Sequence, residues 1–216
     1  MNTTVAVRAG SDTAVSIHHA LLRPAFGLAA VMLVTCGLVY SASITGLAGV
    51  LFPEQATGSL VMVDGKAVGS ALIAQPFSSA QYFHGRPSSV NTDPMSTGGS
   101  NLAPSNPALR ERVATKSAVL TERYQVSAST LPIELLASSG SGVDPHISPA
   151  AATLQLTRVA AARGATAAQL SELVAQYTEA PQWGIFGRQR VNVLLLNLAL
   201  DKQFPFEQPG NNPAVQ

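Results

Sequence analysis

The sequence predicts an α+β fold, in which one N-terminal transmembrane helix is followed by a small soluble α+β domain. Three observations lead to this prediction. No residue between Arg23 and Glu54 is charged. The dipeptide Asp64-Gly65, a strong hairpin signal, separates two apolar runs. Later segments begin with helix-capping pairs such as Ser148-Pro149. The expected organisation is an extension over 1–22, an anchor over 23–52, a soluble domain over 53–204 and a tail over 205–216.

The composition indicates a weakly charged protein. The 216 residues carry a formal net charge of +1; only 12% are charged, whereas 46% are hydrophobic. This balance gives no sign of the basic patch that nucleic-acid binding requires, so no nucleic-acid partner is expected. The low charge fits a surface partly covered by membrane lipid or by partner subunits. The single cysteine, Cys36, has no partner for an internal disulfide.

The anchor is predicted from the length of its apolar run, which continues to Phe52. About 20 mostly apolar residues suffice to cross a bilayer. A cleaved signal peptide is the alternative, but its apolar core is only about 7–15 residues long. Arg8 and Arg23 precede the run and Glu54 follows it, so the positive-inside rule places the N-terminus in the cytoplasm and the domain in the periplasm. The expected location is the bacterial inner membrane, crossed once.

The domain is predicted to begin with a β-hairpin and a long irregular segment. Strands over 58–63 and 67–73 flank the Asp64-Gly65 turn, whose type I′ geometry requires positive φ at both positions. From Gln81 to Asn106, glycine, proline, serine and asparagine dominate. Such a stretch is either disordered or a functional loop held by its own contacts. Its Tyr82-Phe83-His84 motif argues against disorder.

Helices are expected in the second part of the domain. Three have clear start signals, which are Asn106-Pro107, Ser148-Pro149 and the capping box of Thr166 with Gln169. Residues 131–136 form a short element of uncertain type. Residues 191–200 are apolar and ambiguous, and the polar residues within and after them favour a helix.

Two polar clusters admit both a chemical and a structural interpretation. In residues 82–87, His84 would act as an acid or base and Arg86 as an anion clamp, or Arg86 pairs with a local carboxylate or carbonyl within a turn. In residues 139–149, Ser141, Asp144 and His146 suggest a catalytic triad, and the last two suggest metal ligation. The alternative is a helix start capped by polar side chains. We favour the structural interpretation for both.

A third cluster, residues 98–107, offers hydroxyls, amides and exposed backbone, which suit a shaped contact surface better than catalysis.

Nucleotide-hydrolysis motifs are missing from the sequence. Gly65-Lys66 follows Gly58 at the wrong spacing for a P-loop, and Ala67 stands where the Mg²⁺-binding hydroxyl belongs. No zinc-protease motif or Gly-x-Ser-x-Gly elbow occurs either. We therefore expect no catalytic residues and no metal site.

Several motifs in a fixed order closely resemble the C subunit of the Kdp-type potassium-transporting ATPase, over roughly residues 21–202. They are GSALIAQ at 69–75, YFHGRPS at 82–88, GGSNL at 98–102, SNP at 105–107, ASSGSGVD at 137–144, ISP at 147–149, RVA at 158–160, RVNVL at 190–194 and LNLALD at 196–201. The extension before residue 21 is longer than this family leads us to expect.

The resemblance implies a complex of a channel-like A subunit, a P-type ATPase B subunit, this C subunit and a small F subunit. The Asp-Lys-Thr-Gly-Thr phosphorylation sequence is absent here, so the ATP chemistry belongs to another chain. The C subunit is then a non-catalytic accessory needed for assembly and activity. It acts either as a catalytic chaperone that raises the ATP affinity of the B subunit, or as an outward-facing cap at the entrance of the A subunit.

No cofactor is expected to bind firmly to this chain; ATP would bind in a ternary complex with the B subunit. The candidate nucleotide or partner contacts are Gly98, Gly99, Ser100, Asn101, Ser139, Ser141, Asp144, His146 and Ser148. Because the predicted orientation places the domain away from cytoplasmic ATP, and because no basic phosphate cradle is visible, we favour the assembly and capping role. The alternative is a membrane-anchored periplasmic domain that binds a small solute or performs hydrolysis.

Overall fold

The computed structural model describes residues 12–205, with side chains from residue 21 onward. The chain divides into two units after Thr57. The predicted extension up to residue 11, with Arg8, and the tail from residue 206 lie outside the described residues.

The first unit is a helix that meets the requirements for a membrane span. It consists of α1 (Asp12–Met32), a π-helical segment (Leu33–Tyr40) and α2 (Ser41–Leu51), followed by the short α3 (Pro53–Ala56). The apolar part, Leu21–Leu51, has 31 residues, and at 1.5 Å per residue it is about 46 Å long, more than the roughly 30 Å of a bilayer core. Its large apolar side chains are exposed within the chain. Its length and composition are those of a helix that could cross a membrane.

The second unit begins with the predicted hairpin. Strands β1 (Leu60–Val63) and β2 (Lys66–Ser70) pair antiparallel, and the turn residues Asp64 and Gly65 have φ of 50° and 76°. Strand β2 ends three residues before the predicted position 73. The Ser70 hydroxyl donates to the Gly58 carbonyl at 2.7 Å, and Asn192 Nδ2 donates to the carbonyl of the next residue at 2.7 Å. Side chains therefore satisfy the carbonyls of Gly58 and Ala71, where a longer pair of strands would otherwise do so.

The described part of the domain contains four α-helices: α4 (Pro107–Tyr124), α5 (Pro149–Arg163), α6 (Ala167–Gln176) and α7 (Val193–Gln203). The three predicted start signals are confirmed, including both reciprocal bonds of the Thr166 capping box. The element of uncertain type contains a 3-10 turn at Ile133–Leu135. It buries Leu131, Leu135 and Leu136 against the core.

The domain also contains a small antiparallel sheet of three strands, one of which lies between α4 and α5 in the sequence and two between α6 and α7. Its strands are β3 (His146–Ile147), β4 (Thr178–Glu179) and β5 (Arg190–Asn192), with β5 in the centre. The helix predicted over 191–200 thus begins later, at Val193. Asn192 is extended (φ −75°, ψ 116°) because it caps α7, and its Oδ1 accepts from the Leu195 N–H. A cap residue of this kind lies outside the helix.

The core lies between α5, α6, α7 and the irregular segment before α4. Its fully buried side chains include Val159, Leu170, Leu196 and Leu200, and also Phe83 from the irregular segment. Residues 71–106 contain no helix or strand, yet Phe83 is completely buried. The segment is therefore a loop held by its own contacts, one of the two alternatives that the sequence left open.

Two buried amide side chains hold this loop in place. Asn197 accepts from the Phe83 N–H at 2.8 Å and donates to the Phe83 carbonyl at 2.9 Å. Gln155 makes the same pair of bonds with His84, at 2.8 and 3.0 Å. Asn197 and Gln155 are 0% and 1% exposed. Each amide thus completes the backbone hydrogen bonding that a neighbouring strand would otherwise supply. We call this arrangement the amide clamp.

Two arginines of α5 extend the clamp along the same loop. Arg158 donates to the carbonyls of Ala80 and Tyr82. Arg163 has a fully buried side chain; it donates to the Gln81 carbonyl at 2.9 Å and pairs with Asp201 at 2.6 Å. Its guanidinium also lies 4.7 Å from the centre of the Tyr82 ring. Each carbonyl from residue 80 to residue 84 thereby accepts a hydrogen bond from a side chain of α5 or α7.

We predict that Asn197→Leu destabilises the domain by about 2–4 kcal/mol, because it leaves a buried N–H and a buried carbonyl of Phe83 without partners. The measurement is chemical unfolding of the full chain in mild detergent. Gln176→Leu, at an exposed helical position, is the matched control and should change the free energy of unfolding by less than about 1 kcal/mol. Equal stability of the Asn197 and Gln176 variants would show that the clamp contributes nothing.

Candidate functional site

The three polar clusters singled out in the sequence come together in the structure. The Gly98 N–H donates to the Ser141 carbonyl at 2.8 Å, and the Ser139 N–H donates to the Pro87 carbonyl at 3.0 Å. The Ser89 hydroxyl donates to the Gly98 carbonyl at 3.1 Å. Residues 82–90, 98–101 and 139–144 therefore form one contiguous loop cluster.

Glycine is required in this cluster because backbone packs directly on backbone. A Cβ at Gly99 would lie 2.9 Å from the Gly140 carbonyl oxygen. Gly142 has φ +74°, and a Cβ there would lie 2.7 Å from the Gly98 carbonyl oxygen. Neither position can accept a side chain without separating the loops. The glycines thus serve close approach between loops.

The backbone N–H groups of the 139–148 segment are mostly occupied by internal bonds. Gly142 donates to Ser139 Oγ, Val143 to Ser141 Oγ and His146 to Asp144 Oδ1. Ser148 donates to a Glu134 carboxylate oxygen. Because these donors are satisfied, the glycine-rich loop does not present the open set of N–H groups that binds phosphate in a glycine-rich cradle.

Asp144 connects the 139–144 loop to Arg86 of the 82–90 loop and to the side chain of His146. Arg86 Nη1 lies 2.9 Å from Asp144 Oδ2, and His146 Nδ1 lies 3.3 Å from Oδ1. Partial burial alone would raise the pKa of Asp144, but hydrogen bonds from the His146 ring and N–H and from Arg86 more than offset it and lower that pKa to about 2. Arg86 therefore pairs with a carboxylate, one of the partners that the structural interpretation named. Asp144 accepts from a loop N–H and from Arg86, and Ser148 alone caps α5.

A catalytic triad is not assembled from Ser141, Asp144 and His146. The Ser141 hydroxyl bonds with Ser139 Oγ at 3.2 Å and accepts from the Val143 N–H. No hydrogen bond among the described residues joins Ser141 to His146, so the serine has no base positioned to activate it. Over residues 21–205, whose side chains the structure describes, there is also no group of three or more His, Cys, Asp or Glu side chains that could hold a metal ion.

The remaining candidate residues lie at the rim of the cluster. Asn101 is exposed with φ +50°, and the Ser100 hydroxyl accepts from Arg112 Nη2 at 3.3 Å. Gly140 and Ser141 are exposed on the outer side. This edge offers backbone groups and small polar side chains to any molecule that lies against it.

A cavity of about 450 Å³ lies beside the loop cluster. Arg86 lines it and also pairs with Asp144, so the two features share a residue. Its walls are apolar, polar and basic, and they include no carboxylate. The lining residues that matter here are Phe77, His84, Arg86, Lys116, Arg123 and Tyr124.

The charged side chains that line the cavity are all basic. Burial is the main cause that lowers the pKa of His84, and the charges of Arg158, Arg123 and Lys116 lower it further. His84 is therefore neutral near pH 7, and its Nε2–H donates to the Ser79 carbonyl at 2.9 Å. Arg86 is neutralised by its ion pair with Asp144, whereas Lys116 and Arg123 have no ion-pair partner among the described residues; these two cations beside a neutral imidazole are a setting that favours an anion.

Sequence reasoning missed this cavity. Two of its cations, Lys116 and Arg123, come from α4, about thirty residues after Arg86. A signal was available, because Lys116, Leu120, Arg123 and Tyr124 fall at helical spacing on one face of α4. No basic cradle is visible in the sequence because folding is what brings these basic residues together from distant segments.

The chain is similar to known proteins over most of its length. A family model described as K+-transporting ATPase, c chain, matches residues 22–202. A potassium-transporting ATPase KdpC subunit from Shewanella putrefaciens is 57% identical over 185 residues, which cover 86% of this chain and 92% of that protein. KdpC subunits from Xanthomonas oryzae pv. oryzae and Dechloromonas aromatica are 53% and 48% identical, covering 90% and 84% of this chain and 93% and 96% of their own lengths. The matched range includes both the apolar helix and the domain.

We predict that Asp144→Asn removes a part of the acid sensitivity of the domain. A carboxylate whose folded pKa is about 2 against 3.8 ordinarily contributes up to about 2 kcal/mol above pH 4, which is lost as the pH falls towards 2. Solvent screening at this 29% exposed side chain reduces that figure. Unfolding of the full chain in detergent between pH 7 and pH 2 measures it.

Glu172 provides the control, because it is an exposed carboxylate on α6 with no hydrogen-bond partner among the described residues, and Glu172→Gln should leave the acid limb of the stability curve unchanged. An Asp144→Asn variant that loses stability between pH 4 and pH 2 as steeply as the unmodified chain would contradict the assignment.

Proposed function

The chain belongs to the family of K+-transporting ATPase C chains, and on this premise we propose that it is a non-catalytic subunit needed for assembly and activity of a potassium-uptake complex. Its apolar helix would lie in the bacterial inner membrane with the N-terminus in the cytoplasm. The domain would lie on the periplasmic side and cover the entrance of the channel-like A subunit. The B subunit would carry the ATP chemistry, and the F subunit would complete the complex.

The proposal rests on the hydrogen bonds that the polar side chains of the loop cluster make within the chain. Asp144, Ser139 and Ser141 all make internal bonds that fix loop geometry. Within the part of the chain that the structure describes, no nucleophile is paired with a base. Residues used in this way suit a surface of defined shape for a protein partner.

The apolar helix supports the same role. Within its own unit its large apolar side chains have no protein neighbours that bury them, so lipid or partner helices must cover them. Arg23 lies at the N-terminal end of the span, and Glu54 follows its C-terminal end, which favours a cytoplasmic N-terminus. A domain on the outer side would meet the potassium entrance and would be separated from cytoplasmic ATP.

We predict that Gly140→Leu impairs assembly while the domain stays folded. A Cβ at Gly140 meets nothing within 4 Å, and the residue is exposed, so added bulk projects from the cluster without displacing it. The measurement is co-purification with the partner subunits and potassium-limited growth, together with unfolding of the isolated chain. Ser171→Leu, at an exposed position on α6, is the matched control. Normal growth and assembly of the Gly140 variant would refute a contact role for this edge.

Gly99→Leu would not test this contact role, because its Cβ would collide with Gly140 within the same chain.

A second candidate is the role of catalytic chaperone, in which ATP binds this subunit together with the B subunit. The basic cavity favours it. The side chains of Arg86, Lys116 and Arg123 would hold phosphate oxygens, and the aromatic wall of Phe77 and Tyr124 would contact a base. The 139–148 loop is a poorer candidate, because its N–H groups are already used. This role requires that the cavity face cytoplasmic ATP.

We predict that the domain is labelled from outside the cell, which separates the two candidates. In a Cys36→Ser background, Ser171→Cys places the only thiol at an exposed position on α6. A membrane-impermeant maleimide added to cells with a permeabilised outer membrane should label it. Protection until the inner membrane is broken would reverse the orientation and make the nucleotide role the better proposal. The Cys36→Ser chain alone is the control for background labelling.

A further inference from the structure

The turn between β4 and β5 carries an apolar tip that the proposed function does not use. The tip comprises residues 182–187, and Trp183, Ile185 and Phe186 are 82%, 78% and 59% exposed. Side chains of this size normally lose most of their exposed area on folding. Three of them at the end of one hairpin mark a contact with something apolar.

The backbone of the tip is closed by its own hydrogen bonds. The Gln182 N–H donates to the Phe186 carbonyl at 2.8 Å, and the Phe186 N–H donates to the Gln182 carbonyl at 3.0 Å. Trp183 has φ +55°, a conformation that large side chains rarely adopt. Its ring packs edge-to-face on Phe186, with ring centres 6.0 Å apart. The turn therefore keeps the aromatic pair exposed at some conformational cost, an arrangement that suggests a role.

The charges beside the tip are positive. Residues 180–190 include Arg188 and Arg190 and no acidic residue. Arg190 pairs with Glu179 at 2.8 Å, and Arg188 is exposed next to the turn. Tryptophan with one polar N–H, aliphatic and aromatic neighbours, and an arginine beside them is the set of groups that partitions to the lipid–water interface of a bilayer.

We propose that residues 182–187 insert into the lipid–water interface, with Arg188 beside lipid phosphates. Lipid is favoured as the occupant because the chain carries its own span, Leu21–Leu51, so a bilayer is present wherever the protein is anchored. The arginine complements the phosphate charge, whereas a protein partner would need a pocket shaped for three protruding side chains. Insertion at this second point limits the orientations of the domain relative to the bilayer. The inference does not depend on the capping role.

Trp183 is the only tryptophan in the chain, so its fluorescence reports on the tip alone. The full chain is reconstituted in vesicles of phosphatidylethanolamine and phosphatidylglycerol, prepared with ordinary or acyl-brominated lipid. We expect emission typical of an apolar environment, weak quenching by acrylamide, and loss of most of the emission in brominated vesicles.

The double variant Ile185→Ser, Phe186→Ser should return Trp183 to water, with strong acrylamide quenching and little effect of bromine. Ile133→Ser is the matched control, because Ile133 is 72% exposed elsewhere on the domain; it should leave all three readings unchanged. Strong acrylamide quenching and insensitivity to bromine in the unmodified chain would overturn the proposal. So would protection of Trp183 that appears only in the assembled complex and without bromine quenching, since the tip would then bind a protein.

Discussion

The amide clamp is the interaction on which the geometry of the domain depends. A carboxamide presents one donor and one acceptor with the spacing of a peptide group, so Asn197 and Gln155 can each satisfy both polar groups of a buried residue. A carboxylate only accepts, so it would leave the buried carbonyl without a partner, at a cost of about 1–3 kcal/mol. With the clamp in place, Phe83 enters the core of a domain rich in small residues. His84 and Arg86 then take their positions at the cavity and at the loop cluster.

The sequence predicts those parts of the fold that are determined by residues close together in the chain. Helix starts at Asn106, Ser148 and Thr166 are decided by a side chain and an N–H two or three residues away. The hairpin is decided by two adjacent residues. The clamp could not be predicted, because its partners lie 71 and 114 residues apart in the chain. Strand β5 has three residues and is defined only by its neighbours, so residues 191 and 192 were assigned to a helix.

The structure brings the candidate loops together, and it gives the glycines a structural use. A glycine-rich loop before a helix can also form an anion cradle, yet the N–H groups of Gly142, Val143 and His146 donate to serine and aspartate side chains of the same segment. Glycine is present because two loop backbones touch at Gly99 and Gly140. Composition cannot distinguish these uses, since both require the absence of Cβ. Only the positions of neighbouring carbonyl oxygens decide between them.

The net charge, like the glycine content, does not by itself indicate how the protein functions. The net charge of +1 describes the field far from the protein, because beyond a Debye length of about 8–10 Å opposite charges are averaged and screened. Of the cations that line the cavity, Arg86 is paired with Asp144, and Lys116 and Arg123 have no ion-pair partner among the described residues. Arg158 and Arg163 donate to loop carbonyls and Asp201. A nearly neutral chain can therefore lack long-range steering of anions and still place two cations together over a short range. Absence of a basic motif in the sequence excludes only cradles built from adjacent residues.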